Sequence, residues 1–335
     1  MKPTIGITMG DVCGVGPEIT ARALVDPNVL SIARLCVIGD AEALARARDI
    51  VGAGFEIAPF RPGEPIPETS DGAVTCADPG LDVGTLPFGR VDGRAGAAAY
   101  HFIAAAVDMA KAGQIDAIVT APLNKEALHA GGFIFPGHTE ILAELTGTQN
   151  YSMMLATPKM KVIHLTTHVG LIEAIRRIDP ERTYQVIRLA HDTLERAGQK
   201  RPRIAVCGIN PHAGENGLFG EGEEEEKLAP GIARARQEGI DASGPFPADT
   251  LFYRASRGDF DVVVACYHDQ GHAPVKAMFF DEGVNVTVGL NGGIIRTSVD
   301  HGTAFDIAGQ GIARADSLVA AIRYAVELAP ERTVG

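Results

Sequence analysis

The chain has 335 residues, 46% hydrophobic and 21% charged, with a formal net charge of -12 at pH 7. That length exceeds what one core usually supports, so two domains are expected, and the apolar content excludes a disordered chain. The acidic balance argues against a nucleic-acid or acidic-membrane surface and confines any anionic substrate to a local cationic pocket.

Short Val- and Ile-rich runs alternate with helical spacing along the chain. In order, the pattern predicts strand 5–9, helix 18–24, strand 35–38, helices 42–47 and 97–112, strand 115–120 and helix 139–145. It continues with strand 162–166, helix 180–197, strand 204–209, helix 223–238, strands 262–266 and 284–288, and helix 315–328. Such alternation implies an α/β protein in α/β/α layers with mostly parallel sheets. Residues 60–67 read as a surface loop, and the acidic run Glu221 to Glu226 reads as a solvated helix start, where carboxylates suit the dipole. The chain is expected to cross between sheets near 122–137 and to return around 275–295. This gives a discontinuous domain of 1–130 plus 290–335 and a second domain of 131–289.

Cys13, Cys36, Cys76, Cys207 and Cys266 are odd in number and lack CxxC spacing. Neither a disulfide framework nor a thiolate zinc site is expected, and a reducing cytoplasm is the natural setting. The first ten residues lack the apolar core of a signal peptide, and no apolar run approaches the roughly 20 residues of a membrane helix.

His168, His212 and His268 each follow an apolar strand, at the end where α/β proteins place ligands. Three imidazoles with open positions describe a catalytic metal site, whose ion (Zn, Mg, Mn, Co or Ni) the residues do not choose. Asp269 and Gln270 are candidate acceptors to fix the His268 tautomer. His272, four residues on, is a lower-ranked ligand; His164 reads as structural, and His101, His129 and His191 as ordinary.

The loop from Met9 to Glu18 follows a strand and opens a helix, with Pro17 in the first turn. Gly14 and Gly16 begin a GxG, but Ile19 occupies the third glycine position, so the usual dinucleotide fingerprint fails. No GxxxxGK[ST] occurs. Lys276, Asn285 and Arg296, with His138 and Thr139 at a helix start, form a cationic and polar set suited to phosphate or carboxylate.

These motifs resemble the 4-hydroxythreonine-4-phosphate dehydrogenase family, from Gly6 to about Ile312. The resemblance lies in Pro136-Gly137-His138-Thr139-Glu140, Thr166-Thr167-His168, Asn210-Pro211-His212-Ala213-Gly214-Glu215 and Pro247-Ala248-Asp249-Thr250. Tyr267-His268-Asp269-Gln270-Gly271 and the run from Arg296 to Ala304 complete it. It implies a metal held by His168, His212 and His268, and substrate contacts from His138, Thr139, Lys276, Asn285 and Arg296. It also implies a homodimer whose active site, between the two domains, borrows residues from the neighbouring subunit. The discontinuous domain would then lie on the cofactor side, and 131–289 would bind metal and substrate and form the dimer.

The glycine loop is also similar to the GDGIGPE turn of isopropylmalate and isocitrate dehydrogenases, and 301–309 to their HGSAPDIAG loop, which holds the adenosine of NAD. That likeness implies an isocitrate/isopropylmalate dehydrogenase-like fold, with Gly14, Gly16, His301, Gly302, Thr303, Ala304 and Asp306 around NAD. Asp306 would accept the ribose hydroxyls. Within the family the chain looks more like the branch acting on 4-phospho-threonate or 4-phospho-erythronate. Two departures are Val12-Cys13 where Pro-Ala is usual, and Asn291-Gly292-Gly293 where a single proline is usual, a lengthening that predicts an altered path to Arg296.

The expected chemistry is metal-assisted oxidation of a C3 hydroxyl by NAD, then loss of carbon dioxide from the 3-keto acid. Lys276 would hold an anionic end of the substrate with Arg296, and Asp249 or Asp269 would relay the proton. The alternatives are a non-redox metal aldolase or hydrolase, for which the 301–309 loop has no use, and an inactive binding protein on the same scaffold.

Overall fold

The computed structural model describes residues 2–69, 72–279 and 283–329. The chain forms two compact units, residues 1–149 with 290–335, and residues 150–289. The first boundary falls later than the expected 130. The reason is local: helix His138–Thr146 and helix Gly93–Lys111 pack on each other within the first unit.

In chain order the first unit contains β1 (Thr4–Thr8), α1 (Gly16–Ala23), α2 (Pro27–Ile32), β2 (Arg34–Ile38) and α3 (Ala41–Val51). Next come β3 (Glu56–Phe60), β4 (Ala73–Ala77), α4 (Gly93–Lys111), β5 (Ala117–Thr120), α5 (Lys125–Ala130) and α6 (His138–Thr146). The second unit contains β6 (Ser152–Ala156), β7 (Lys161–His164), α7 (Leu171–Arg177), α8 (Pro180–Arg196) and β8 (Ile204–Cys207). It continues with α9 (Ala229–Gln237), β9 (Ala242–Phe246), α10 (Ala248–Ser256), β10 (Val262–Ala265), α11 (His268–Phe279) and β11 (Val284–Val288). The chain then returns to the first unit for β12 (Arg296–Ser298) and α12 (Asp316–Leu328).

Strands of the first unit run β3-β4-β2-β1-β5-β12, every pair parallel. Central β1 and β5 are buried at every position, as expected for strands covered on both faces. The core of this unit gathers Met9, Val37, Ile38, Leu44, Phe102, Ile118, Leu128 and Ile141. Asp40 and Asp92 cap α3 and α4 by accepting main-chain N–H bonds from Ala43 and Arg94.

Strands of the second unit run β11-β6-β7-β10-β8-β9. Here β7, β10, β8 and β9 are parallel, whereas β11–β6 and β6–β7 pair antiparallel. The antiparallel edge departs from the purely alternating pattern. Only residues 157–160 separate β6 from β7, and so short a connection joins antiparallel neighbours. Thr157 closes that turn, its Oγ1 accepting from Met160 N at 3.0 Å.

Candidate active site

In the second unit β7, β10 and β8 are parallel neighbours, so their C-terminal ends share one edge of the sheet. His168 follows β7, His268 opens α11 directly after β10, and His212 follows β8. The structure brings the first two together: the His168 and His268 ring centres are 5.6 Å apart. Two imidazoles sharing a cation at ~2 Å from each nitrogen have ring centres roughly 5–6 Å apart, so this pair fits. His212 is not part of the pair. It lies in the turn Pro211–Gly217, exposed, with Phe219 as its ring neighbour at 6.0 Å. Among the described residues, no group of three or more His, Cys, Asp or Glu is arranged to hold a metal ion.

The pair has a built surround. His268 Nδ1 donates to Asp269 Oδ1 at 2.8 Å, which leaves Nε2 as a lone pair. The His272 ring stacks on His268, centres 3.9 Å apart and planes 7° off parallel, as the helical i,i+4 spacing allows. His272 Nδ1 in turn lies 3.1 Å from His164 Nε2, and His164 Nδ1 lies 3.1 Å from the Met153 carbonyl. The carbonyl can only accept, so His164 carries its proton on Nδ1 and receives a hydrogen bond from His272. Burial, then the adjacent His272, brings the His164 pKa down to about 3 and keeps the ring neutral. Gln270 is not an acceptor for His268, contrary to expectation. Its Oε1 accepts from Cys266 N at 2.7 Å and its Nε2 donates to Gly208 O at 2.8 Å, so it ties the end of β10 to that of β8.

Lys276 lies on α11 two helical steps of four beyond His268, in line with His272, and is half-buried. Asn285 is half-buried within β11, and Asp249 is exposed in the first turn of α10. The acidic run opens a helical segment with Glu221, Glu225 and Glu226 exposed, as expected, and only Glu224 departs from the solvated role. Glu224 is 2% exposed and accepts hydrogen bonds from Ile209 N and Asn210 N.

The first unit holds the other cation. Arg296 is buried on β12, paired in register with Ile118, and both its Nε and Nη2 donate to Thr120 Oγ1, at 3.1 and 2.6 Å. Burial lowers the Arg296 pKa to about 9, against the pull of Glu140, and leaves it charged at neutral pH. His138 starts α6 beside it. Its ring hydrogen-bonds the Ala121 backbone, while Nε2 is buried without a partner. Burial, then the Arg296 charge, holds His138 well below the usual imidazole range, so it is neutral. Thr139 follows in the same first turn, where main-chain N–H groups face outward. The lengthened Asn291–Gly293 turn leaves Arg296 within the strand. Asn291 binds the end of α6 instead: its N donates to Thr148 Oγ1 at 2.8 Å, and its Nδ2 to Gly147 O at 2.8 Å.

Gly14 and Gly16 are buried, and protein occupies the space of their missing Cβ atoms. A Cβ on Gly14 would meet Thr303 O at 2.8 Å, and one on Gly16 would strike Met9 O. Val15 N donates to Thr303 O at 2.9 Å. These glycines thus seat the 301–309 loop against the first turn of the fold. Glu18, fully buried, grips the far end of that loop by accepting from Gly309 N and, at 2.8 Å, from Gly311 N. Sequence reasoning missed Glu18; its PE dipeptide was the available signal. His301, Gly302 and Asp306 are exposed, and Ala304 takes a positive φ of 43°. An exposed carboxylate on a loop fixed at both ends suits a pair of ribose hydroxyls.

Residues 31–325 match the family described as Pyridoxal phosphate biosynthetic protein PdxA. The chain belongs to this family. A D-threonate 4-phosphate dehydrogenase of Cupriavidus necator is 56% identical, over 98% of each chain. A 4-hydroxythreonine-4-phosphate dehydrogenase of Geobacter metallireducens is 46% identical, over 98% of this chain and 96% of that one. The crystal structure of a 4-hydroxythreonine-4-phosphate dehydrogenase from Burkholderia phymatum has 55% identity and a TM-score of 0.91, covering 99% of this chain and 100% of that one. Each of the three is named a dehydrogenase, and the PdxA-family chain is an oxidoreductase. The non-redox alternative finds no support among them. No described helix is long and apolar enough to cross a membrane.

Proposed function

We propose that the protein oxidises the C3 hydroxyl of D-threonate 4-phosphate with NAD, and that the 3-keto acid then loses C1 as carbon dioxide. The observation that carries this reading is the His168–His268 pair, spaced for one cation on a chain of a dehydrogenase family. The greater likeness to the Cupriavidus enzyme than to the Geobacter one favours a hydroxyl over an amino group at C2.

His168 and His268 hold the divalent cation, and His212 of a second copy of the chain completes the set, in a homodimer with a shared site. The exposed position of His212, outside the pair, supports this. A divalent cation there supplies a lowered hydroxyl pKa and a counter-charge for the oxygen left behind. The exposed Asp306 takes the ribose hydroxyls of NAD, so the first unit is the cofactor side.

Arg296 and the α6 N-terminus at Thr139 bind an anionic end of the substrate, and the neutral His138 accepts a hydrogen bond from a substrate hydroxyl at Nε2. Lys276 holds the other anionic end of the substrate, and Asn285 donates to the substrate. NAD, when bound, would supply the hydride acceptor for C3, and Asp249 is the exposed carboxylate suited to relay the hydroxyl proton. The C1–C2 bond then breaks, its electron pair enters an enolate, and C2 takes up a proton. Asp269 serves by orienting His268. All five cysteines are buried thiols, which fits a reducing cytoplasm.

The test is a comparison of kcat/KM for NADH formation with D-threonate 4-phosphate, D-erythronate 4-phosphate and 4-hydroxythreonine 4-phosphate, for each of the five divalent metals. D-threonate 4-phosphate is expected to give the highest value; a preference for the amino substrate would reassign the chain to the other branch.

A further inference from the structure

We propose that Glu224 is a positioning residue for His212, acting through the turn that carries the imidazole; this rests on His212 being a cation ligand. The turn is unusual. His212, Ala213, Gly214, Glu215 and Asn216 have φ of 53, 53, 78, 42 and 56°, so four non-glycine residues in a row of five adopt the left-handed region. L residues enter that region at a cost, and a run of them persists only where the surroundings fix it.

Glu224 provides that fixing. Its Oε1 accepts from Ile209 N at 2.9 Å and Asn210 N at 2.7 Å, the two residues that lead into Pro211 and the turn. Its Oε2 accepts from Asn210 Nδ2 at 3.0 Å, and the same amide donates to Glu223 Oε2 at 2.8 Å. Asn210 O then accepts from Ala213 N at 3.0 Å, inside the turn. A Cβ on Gly214 would stand 3.0 Å from Glu224 Oε2, so the carboxylate sits directly beneath the left-handed segment. With 2% exposure, Glu224 is committed to this loop. Gly208, just before it, also accepts from Gln270 Nε2, two residues beyond His268. One backbone corner therefore links the segment bearing His212 to the segment bearing His268.

The experiment titrates the purified full chain with Co2+ alone, reading its visible absorption, for wild type, E224A, E224Q, H212A and E224A/H212A. E224A is expected to weaken Co2+ binding by about 10-fold or more, as loss of outer-shell support does. E224Q, which keeps the oxygen that receives both main-chain N–H groups, is expected to restore most of the affinity. Added to H212A, E224A is expected to have no further effect. Unchanged affinity in E224A beside a weakened H212A overturns the proposal and leaves the ligand reading standing. Equal losses from E224A with and without His212 also overturn it, since Glu224 would then act on the fold at large. Unchanged affinity in H212A sinks the ligand reading itself. If E224A does not fold, E224D, which withdraws the carboxylate by one methylene, carries the same comparison.

Discussion

At the residue scale, burial sets the protonation of the groups around the site. Asp11 is fully buried; its Oδ1 accepts from Cys13 N, and its Oδ2 has no partner. Burial pushes its pKa from 3.8 up to about 6. The folded state therefore holds this proton more tightly than the unfolded chain, and that contribution is complete below pH ~4 and lost as pH rises through ~6. D11N keeps the acceptor for Cys13 and removes the titration. Denaturant unfolding should show D11N gaining on wild type by roughly 3 kcal/mol between pH 4 and 7.5; a difference that stays flat with pH contradicts the assignment. For Arg296, whose fork meets Thr120 with two donors, R296K is expected to raise the substrate KM by about 10–100-fold, as loss of a charged hydrogen bond does. An unchanged KM in steady-state kinetics would remove Arg296 from the substrate. The positions of His168, His212 and His268 were legible in the sequence because each follows an apolar strand. The tasks of Gln270 and Glu224 were not, since each binds main-chain atoms more than ten residues away or across a strand end.

At the scale of elements, strands rich in β-branched residues announced themselves and the others did not. β1, β2, β5, β7, β8, β10 and β11 are runs of apolar, often β-branched residues, and they were read correctly. β6 is Met-rich, β3 is half-buried at its edge, and β12 has three residues, so none carries a clear period. α11 was hidden by Gly271 and Pro274, residues that normally interrupt helices. Gly271 has a reason to be there: a Cβ would collide with His164 Nε2. Gly96 is a comparable case in α4, where a Cβ would strike the Ala127 carbonyl of α5. G96A should destabilise the protein by about 1–3 kcal/mol by forcing α4 from α5. A thermal unfolding curve superimposing on wild type would show that the two helices have room to spare.

At the scale of the whole molecule, the α/β class and two-unit division followed from length and alternation, whereas the boundary at 149 depended on helix packing. Completion of the cation site by a second copy is our proposal, and the family resemblance is what suggests it. It predicts complementation. H168A and H212A are each expected to be inactive, yet a refolded equal mixture should regain about a quarter of wild-type activity, because half the dimers are mixed and each mixed dimer has one intact site of two. An inactive mixture would place all three ligands in one chain.

Metal-dependent oxidation followed by decarboxylation fixes the stoichiometry of one reaction. Purified protein, NAD and D-threonate 4-phosphate, with the divalent cation present, should release NADH and carbon dioxide in equal amounts and neither after chelation. NADH without carbon dioxide, or full turnover in the chelated protein, would contradict it.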